Sequence, residues 1–235
     1  MKNNYMYKFI NILICTCLLV AGITYDVSAK PKHRKAYNKR IILIDAGHGG
    51  IDGGASGEDG ILEKDINLVI AKELKDILKK DGFYIIMTRE DDRGIYTQDG
   101  RIRKKKIEDL VNRHSLIENS ECNMFISIHL NSFPQKQYHG AQVWYAANDK
   151  SRSFGEMVQK QLRDDIDKEN KREAKNAKES YLILKNPQDI PEVIIEAGFM
   201  SNYEECKKLE NSEYQKQIAK SISEAVIKYF STSGA

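Results

Sequence analysis

Short unbroken apolar runs alternate along this chain with longer segments whose apolar residues recur every three or four positions. The first kind reads as buried strands and the second as amphipathic helices. Residues 41–44 (IILI) lie between Lys39-Arg40 and a glycine-rich loop, which predicts a strand. Over 63–80, Ile66, Val69, Ile70, Leu74, Ile77 and Leu78 fall at helical spacing, and Asp81-Gly82 supplies a stop. The pattern then predicts a strand over 83–88, a helix over 107–117 with Ile107, Leu110, Val111, His114 and Ile117 on one face, and a strand over 124–129. Further strands are expected over 141–145, 181–184 and 193–196, and helices over 154–166, 203–209 and 214–230. Strand, helix, strand order with short connections is the signature of a parallel sheet covered by helices. The expected fold is therefore α/β: a single domain with a mostly parallel twisted sheet flanked by helices on both faces.

Three of the predicted strands end in groups able to bind or activate something: Asp45 and His48 after the first, His129 and Asn131 after FISI, and Glu196 after VII. An ionisable group at the end of a buried strand is costly unless it is paired, metal-bound or chemically used. In open α/β sheets such strand ends face the ligand crevice, so chain order alone sends His48, His129 and Glu196 to one edge. Glu63, opening the helix after the glycine loop, is a fourth polar group, although the helix dipole alone would favour a carboxylate there. A single histidine fits a structural role well; two at strand ends on one edge favour a shared task. Two imidazoles and two carboxylates are what a hydrolytic zinc centre uses, with three ligands, an open water position and a base. The glycines after the first strand do not make a dinucleotide loop, because Asp52 stands where the last glycine of that motif would be. Glu196, emerging from an apolar strand, suits either a general base with a raised pKa or a further ligand.

At 235 residues, 41% hydrophobic and 30% charged, the chain has enough material for one domain with a proper core. A formal charge of +3 gives no support to nucleic-acid binding. Lys2 and Lys8 precede an apolar run over 9–23, and Val27-Ser28-Ala29 follows it, the pattern of a secretory signal over 1–29. The run is too short to span a bilayer, so no stable membrane span is expected once the signal is removed. A basic spacer over 30–40 then leads into a catalytic domain over 41–231. Cys122 and Cys206 lack metal-ligand spacing and read as two small buried side chains rather than a disulfide framework.

The blocks DAGHGGIDGGASG with Glu63-Lys64, FISIHLNS and PEVIIEAGFMSN resemble, in order and spacing, the three signatures of the zinc-dependent N-acetylmuramoyl-L-alanine amidases. The resemblance spans about residues 40–231. It implies that His48, Glu63 and His129 hold Zn2+, that Glu196 activates water, and that Arg113 and Asn131 line the cleft as substrate contacts or as supports behind the ligands. Within the family, RKKKIEDLVNR, HLNSFPQKQYHGAQVWY and NKREAK are similar to the CwlD group of sporulation and germination amidases. That similarity implies a spore cortex peptidoglycan substrate and a muramic acid deacetylase acting on the product to complete muramic-δ-lactam. It also implies a location in the cell wall or between the forespore and mother-cell membranes; an activator protein would be a further partner if the metal site is weak. Other readings open at this point are a vegetative wall amidase or autolysin, a zinc peptidase or deacetylase, and a non-catalytic wall-binding protein with a degenerate metal site. The basic run 101–106 departs from the family pattern and is expected to be a solvated helix face that leaves the metal site alone.

Overall fold

The computed structural model describes residues 40–232 apart from Gln98 and Glu179. The signal expected over 1–29, and the spacer expected over 30–40 except Arg40, lie outside the described residues. The strands are β1 (Ile41–Ala46), β2 (Tyr84–Met87), β3 (Met124–Asn131), β4 (Gln142–Tyr145), β5 (Lys175–Asn176) and β6 (Glu192–Phe199). The α-helices are α1 (Glu63–Lys80), α2 (Ile102–Asn119), α3 (Asp149–Asp165), α4 (Tyr203–Glu210) and α5 (Ser212–Thr232). The strands form one sheet in the order β2-β1-β3-β6-β4-β5. Every pairing is parallel except that of β4 with β6.

Side chains alternate across the sheet as the period of two requires. Ile42, Ile44, Met124, Ile126, Ile128, Val193 and Ile195 join one apolar cluster with α1, α3 and α5. Leu43, Phe125 and Ile194 join a second, with Ile117 of α2 and the 3-10 turn Leu182–Leu184. Asp45, Ser127, His129 and Glu196 continue the positions of this second face toward the carboxyl ends of β1, β3 and β6. The functional groups thus share one face as well as one edge.

Helix α1 starts with Glu63 and Asp65 in its first turn, where carboxylates complement the exposed amide dipoles, and stops at Asp81 and Gly82, whose φ of 95° suits glycine. Helix α3 begins at Asp149, earlier than its apolar spacing implies, because the Asn148 side chain accepts from Ser151 N at 2.7 Å and caps it. The strand expected over 181–184 is instead the 3-10 turn, closed by Leu184 N donating to Tyr181 O at 3.1 Å. A short apolar run of this kind is equally compatible with a buried turn.

Helix α2 forms where expected but begins at Ile102, so the basic run is part of it. The first part of its apolar face is turned outward, with Ile107, Leu110 and Val111 exposed, while further along Arg113 and Ile117 are buried. Polar bonds hold this helix down. Asp109 accepts from Ile95 N at 2.5 Å, Asn112 donates to Ile95 O at 2.6 Å, and Arg113 donates to the Ala46 carbonyl at the end of β1 at 2.9 Å.

Cys122 and Cys206 are buried, unpaired thiols, with burial pushing both pKa values up. Glu192, at the start of β6, is fully buried; one carboxylate oxygen accepts from Gln188 N at 2.6 Å, and the other has no partner. Burial raises its pKa from 4.5 to about 7. Between these values the folded chain keeps a proton that the unfolded chain releases, so this residue lowers stability as pH rises through that window, and its cost is constant above it. Glu192→Gln is therefore expected to match the parent protein at pH 4 and exceed it by about 3 kcal/mol at pH 8, which urea denaturation at the two pH values measures.

Candidate metal centre and active site

The loop after β1 turns back on itself at once. Gly49 N donates to Asp52 O at 2.9 Å and Asp52 N to Gly49 O at 3.1 Å. His48 sits in the left-handed region (φ 62°), a conformation of about 1–3 kcal/mol cost that persists only when its surroundings impose it. Two buried arginines impose it. Arg89 donates to the carbonyls of Ala46 (2.8 Å) and Gly47 (3.0 Å), and Arg113 to those of Ala46 (2.9 Å) and His48 (2.6 Å). Gly47 has a separate constraint, because a Cβ there would run into the His129 ring.

Arg113 also pairs with Asp45 and with Asp109 (2.5 Å), and Asp45 accepts from Thr88 (2.7 Å) and Ser127 (2.6 Å). Burial would raise the Asp45 pKa, but Arg113, with His129 and the hydroxyls of Ser127 and Thr88, together outweigh it and hold the carboxyl at about 2. Arg113 is only 2% exposed and spends its donors on the protein. Of the two roles expected for it, these bonds suit support: it is a brace under the His48 loop. Asn131 lies at the carboxyl end of β3, half-buried, with its side-chain oxygen accepting from Ser132 N at 2.9 Å.

Three donor atoms meet in front of this loop. Glu63 Oε1 lies 3.2 Å from His48 Nε2 and 3.1 Å from His129 Nδ1, and one ligand atom from each residue falls within 4.8 Å of the others. The two rings meet edge to face with centroids 4.8 Å apart. The strand register shifts between His129 and Asn131, and the Leu130 amide in that irregularity donates to Glu63 Oε1 at 3.0 Å. Ala55 N holds Glu63 Oε2 at 2.8 Å. Burial opposes the charge on Glu63, but its bonds with His129 and His48 keep it well below the usual carboxylate range.

The donor chemistry fits a cation. His48 Nδ1 is 2.9 Å from Asp52 Oδ2, and a carboxylate only accepts, so Nδ1 carries the proton and Nε2 presents its lone pair toward Glu63. Lone pairs facing one another require a proton or a metal between them. With a proton there, burial works against the charge but the bonds to Asp52 and Glu63 prevail, raising His48 to about 9. Two imidazoles and one carboxylate match zinc's ligand preference and leave further positions open.

Glu196 lies beside the group, its Cα the register partner of His129 across β3 and β6. Its Oε1 accepts from the Tyr181 hydroxyl at 3.2 Å, and its buried Oε2 has no partner. Burial pushes its pKa up.

This arrangement has close relatives. The chain over residues 42–228 matches the family model described as N-acetylmuramoyl-L-alanine amidase. The chain belongs to the N-acetylmuramoyl-L-alanine amidase family. A germination-specific N-acetylmuramoyl-L-alanine amidase of Bacillus subtilis is 38% identical, the match covering 83% of this chain and 81% of that protein. The CwlD amidase from Clostridioides difficile, solved in complex with the GerS lipoprotein, superposes with a TM-score of 0.79 at 44% identity, over 82% of this chain and 98% of that one. An N-acetylmuramoyl-L-alanine amidase from Clostridium difficile 630 superposes with a TM-score of 0.72 at 29% identity, over 83% and 98% of the two chains. This amidase is thus an amide hydrolase of peptidoglycan with the α/β fold of its family.

Sequence reasoning passed over Asp52, Lys106, Arg89 and Tyr181 in this amidase. Asp52 stands four positions after His48, a spacing with no meaning until the loop reverses. Tyr181 and Arg89 carried no signal, because their partners lie on other elements. The basic run is a largely exposed helix face, as expected, and at its end Lys106 Nζ donates to Asp52 Oδ1 at 2.7 Å.

Proposed function

We propose that this amidase is a zinc enzyme of the spore cortex, cutting the amide between the lactyl group of N-acetylmuramic acid and the L-alanine of the stem peptide. The convergence of His48, Glu63 and His129 donor atoms within 4.8 Å carries the metal assignment. A zinc ion held by these residues supplies a water of lowered pKa and polarises the scissile carbonyl. Glu196 accepts the water proton at Oε2, the oxygen without a partner, while Tyr181 occupies Oε1. Oxygen bonds to the carbonyl carbon, the C–N bond breaks, and Glu196 returns the proton to the departing amine of L-alanine. The products are a free lactyl carboxylate on muramic acid and a free stem peptide. Asn131, two residues after His129 at the strand end, takes the role of a substrate contact in this reading.

The germination-specific relative supports a role in germination; cortex as substrate, the first step of muramic-δ-lactam formation and a deacetylase acting on the bare muramic acid are the rest of this proposal. The complex of the C. difficile amidase with a lipoprotein supports an activating partner for this chain too. A secretory signal over 1–29 would deliver the domain over 41–231 to the wall or the space between forespore and mother-cell membranes. No helix among the described residues is long and apolar enough to cross a membrane.

Digestion of purified cortex and vegetative sacculi, with and without chelator, tests the reading. New L-alanine amino termini, preferentially in cortex and lost with chelator, are expected by mass spectrometry. Cleavage that persists after zinc removal, or that occurs within the stem peptide, overturns it.

A further inference from the structure

We infer that helix α2 sets the aim and tautomer of His48 through a Lys106–Asp52 pair, making both residues positioning residues for the metal centre. The inference rests on the reading of His48 as a ligand. An imidazole offers a metal whichever nitrogen lacks its proton, and a free ring divides its population between two tautomers and several orientations. Here the ring stands on a left-handed residue in a glycine-rich loop, where the backbone alone gives little control of the side chain. Asp52 removes the ambiguity: its Oδ2 accepts from Nδ1 at 2.9 Å, so the ring presents Nε2, the atom 3.2 Å from Glu63.

Asp52 in turn needs fixing. Its own support in the loop is the tight Gly49–Asp52 reversal and a long contact of Oδ1 with Gly54 N at 3.4 Å. The strong bond to Oδ1 comes from outside, from Lys106 Nζ at 2.7 Å. Lys106 and Arg113 stand two turns apart on the same helix face, and Arg113 holds the His48 carbonyl at 2.6 Å. One helix therefore grips His48 at both ends, the backbone through Arg113 and the ring through Lys106 and Asp52. His129 needs no such relay, because its ring packs against Gly47 and it rises from a paired strand.

The pair is partly exposed, Lys106 at 46% and Asp52 at 27%, so its strength falls with salt while the buried Arg113 grip does not. Partners of ligating histidines typically contribute about 10–100-fold in metal affinity.

Zinc affinity of the purified protein, read by competition with a chromogenic chelator, tests this without recourse to activity. Asp52→Ala is expected to weaken zinc about 10–100-fold, and Asp52→Asn, which keeps an acceptor but no charge, to fall between. Lys106→Met is expected to weaken it several-fold at low salt, with the difference closing near 1 M salt. The double variant Asp52→Ala/Lys106→Met is expected to be no weaker than Asp52→Ala. Metal-free melting temperatures report folding, and the exposed Lys106→Met carries the test should Asp52→Ala fail to fold. Affinity within twofold of the parent in Lys106→Met at low salt, or additive losses in the double variant, overturns the inference. His48→Ala separates the two levels: zinc retained there overturns the ligand assignment itself, whereas zinc lost in His48→Ala but kept in Asp52→Ala overturns only the relay.

Discussion

Glu196→Gln is expected to lower kcat by about 10³-fold, the usual worth of a positioned general base, while zinc content and melting temperature stay at parent values. Glutamine has the same shape and keeps an oxygen for the Tyr181 hydroxyl, so the wall of the site should not move. What it lacks is a basic oxygen in place of the buried, unpartnered Oε2. Burial raises the parent carboxyl's pKa, and a base works only when ionised. Parent activity should therefore fall as pH drops through that raised value, and the variant's residual rate should lose this acid limb. Release of free stem peptide from defined muropeptides, followed over pH, measures both effects. A variant that turns over at the parent rate would falsify the role given to Glu196.

Arg113→Met should cost about 3–5 kcal/mol of stability, the range for removing one member of a buried ion pair. Three consequences coincide there. Asp45 loses the largest of the interactions that offset its burial, Asp109 loses its helix partner, and the carbonyls of Ala46 and His48 lose donors. Lysine should not rescue it, because a single ammonium cannot reproduce the guanidinium fork. Asp45→Asn in the same chain should recover part of the loss, since no uncompensated charge then remains, and the difference between single and double variants gives the coupling. Chemical denaturation with and without zinc checks this. Equal stability of Arg113→Met and parent would remove the brace from the account of the loop.

Much of this amidase was legible before any coordinates. The alternation of unbroken and periodic apolar runs follows local rules, and it located β1, β2, β3, β4 and β6 and the helices of the described chain, because burial of a strand or helix face writes its period into adjacent residues. The rule that parallel strands open their crevice at the carboxyl ends then sent His48, His129 and Glu196 to one edge. Element starts were less legible. The Asn148 cap extends α3 beyond its apolar residues, and α2 runs back through a charged segment in which burial leaves no pattern.

From sequence alone came the elements, the single α/β domain, the strand ends that bear chemistry and the family blocks. All are consequences of short-range spacing and residue type. Tertiary structure decided that Arg113 braces the His48 loop, that Ile107, Leu110 and Val111 of α2 face outward, and that His48 presents Nε2. Each of these depends on where a long polar side chain finds its partner: Arg113 meets Asp45 across 68 positions and Lys106 meets Asp52 across 54. Hydrogen bonds and ion pairs need only one atom in the right place, so they leave no period behind, whereas hydrophobic burial involves a whole face and does.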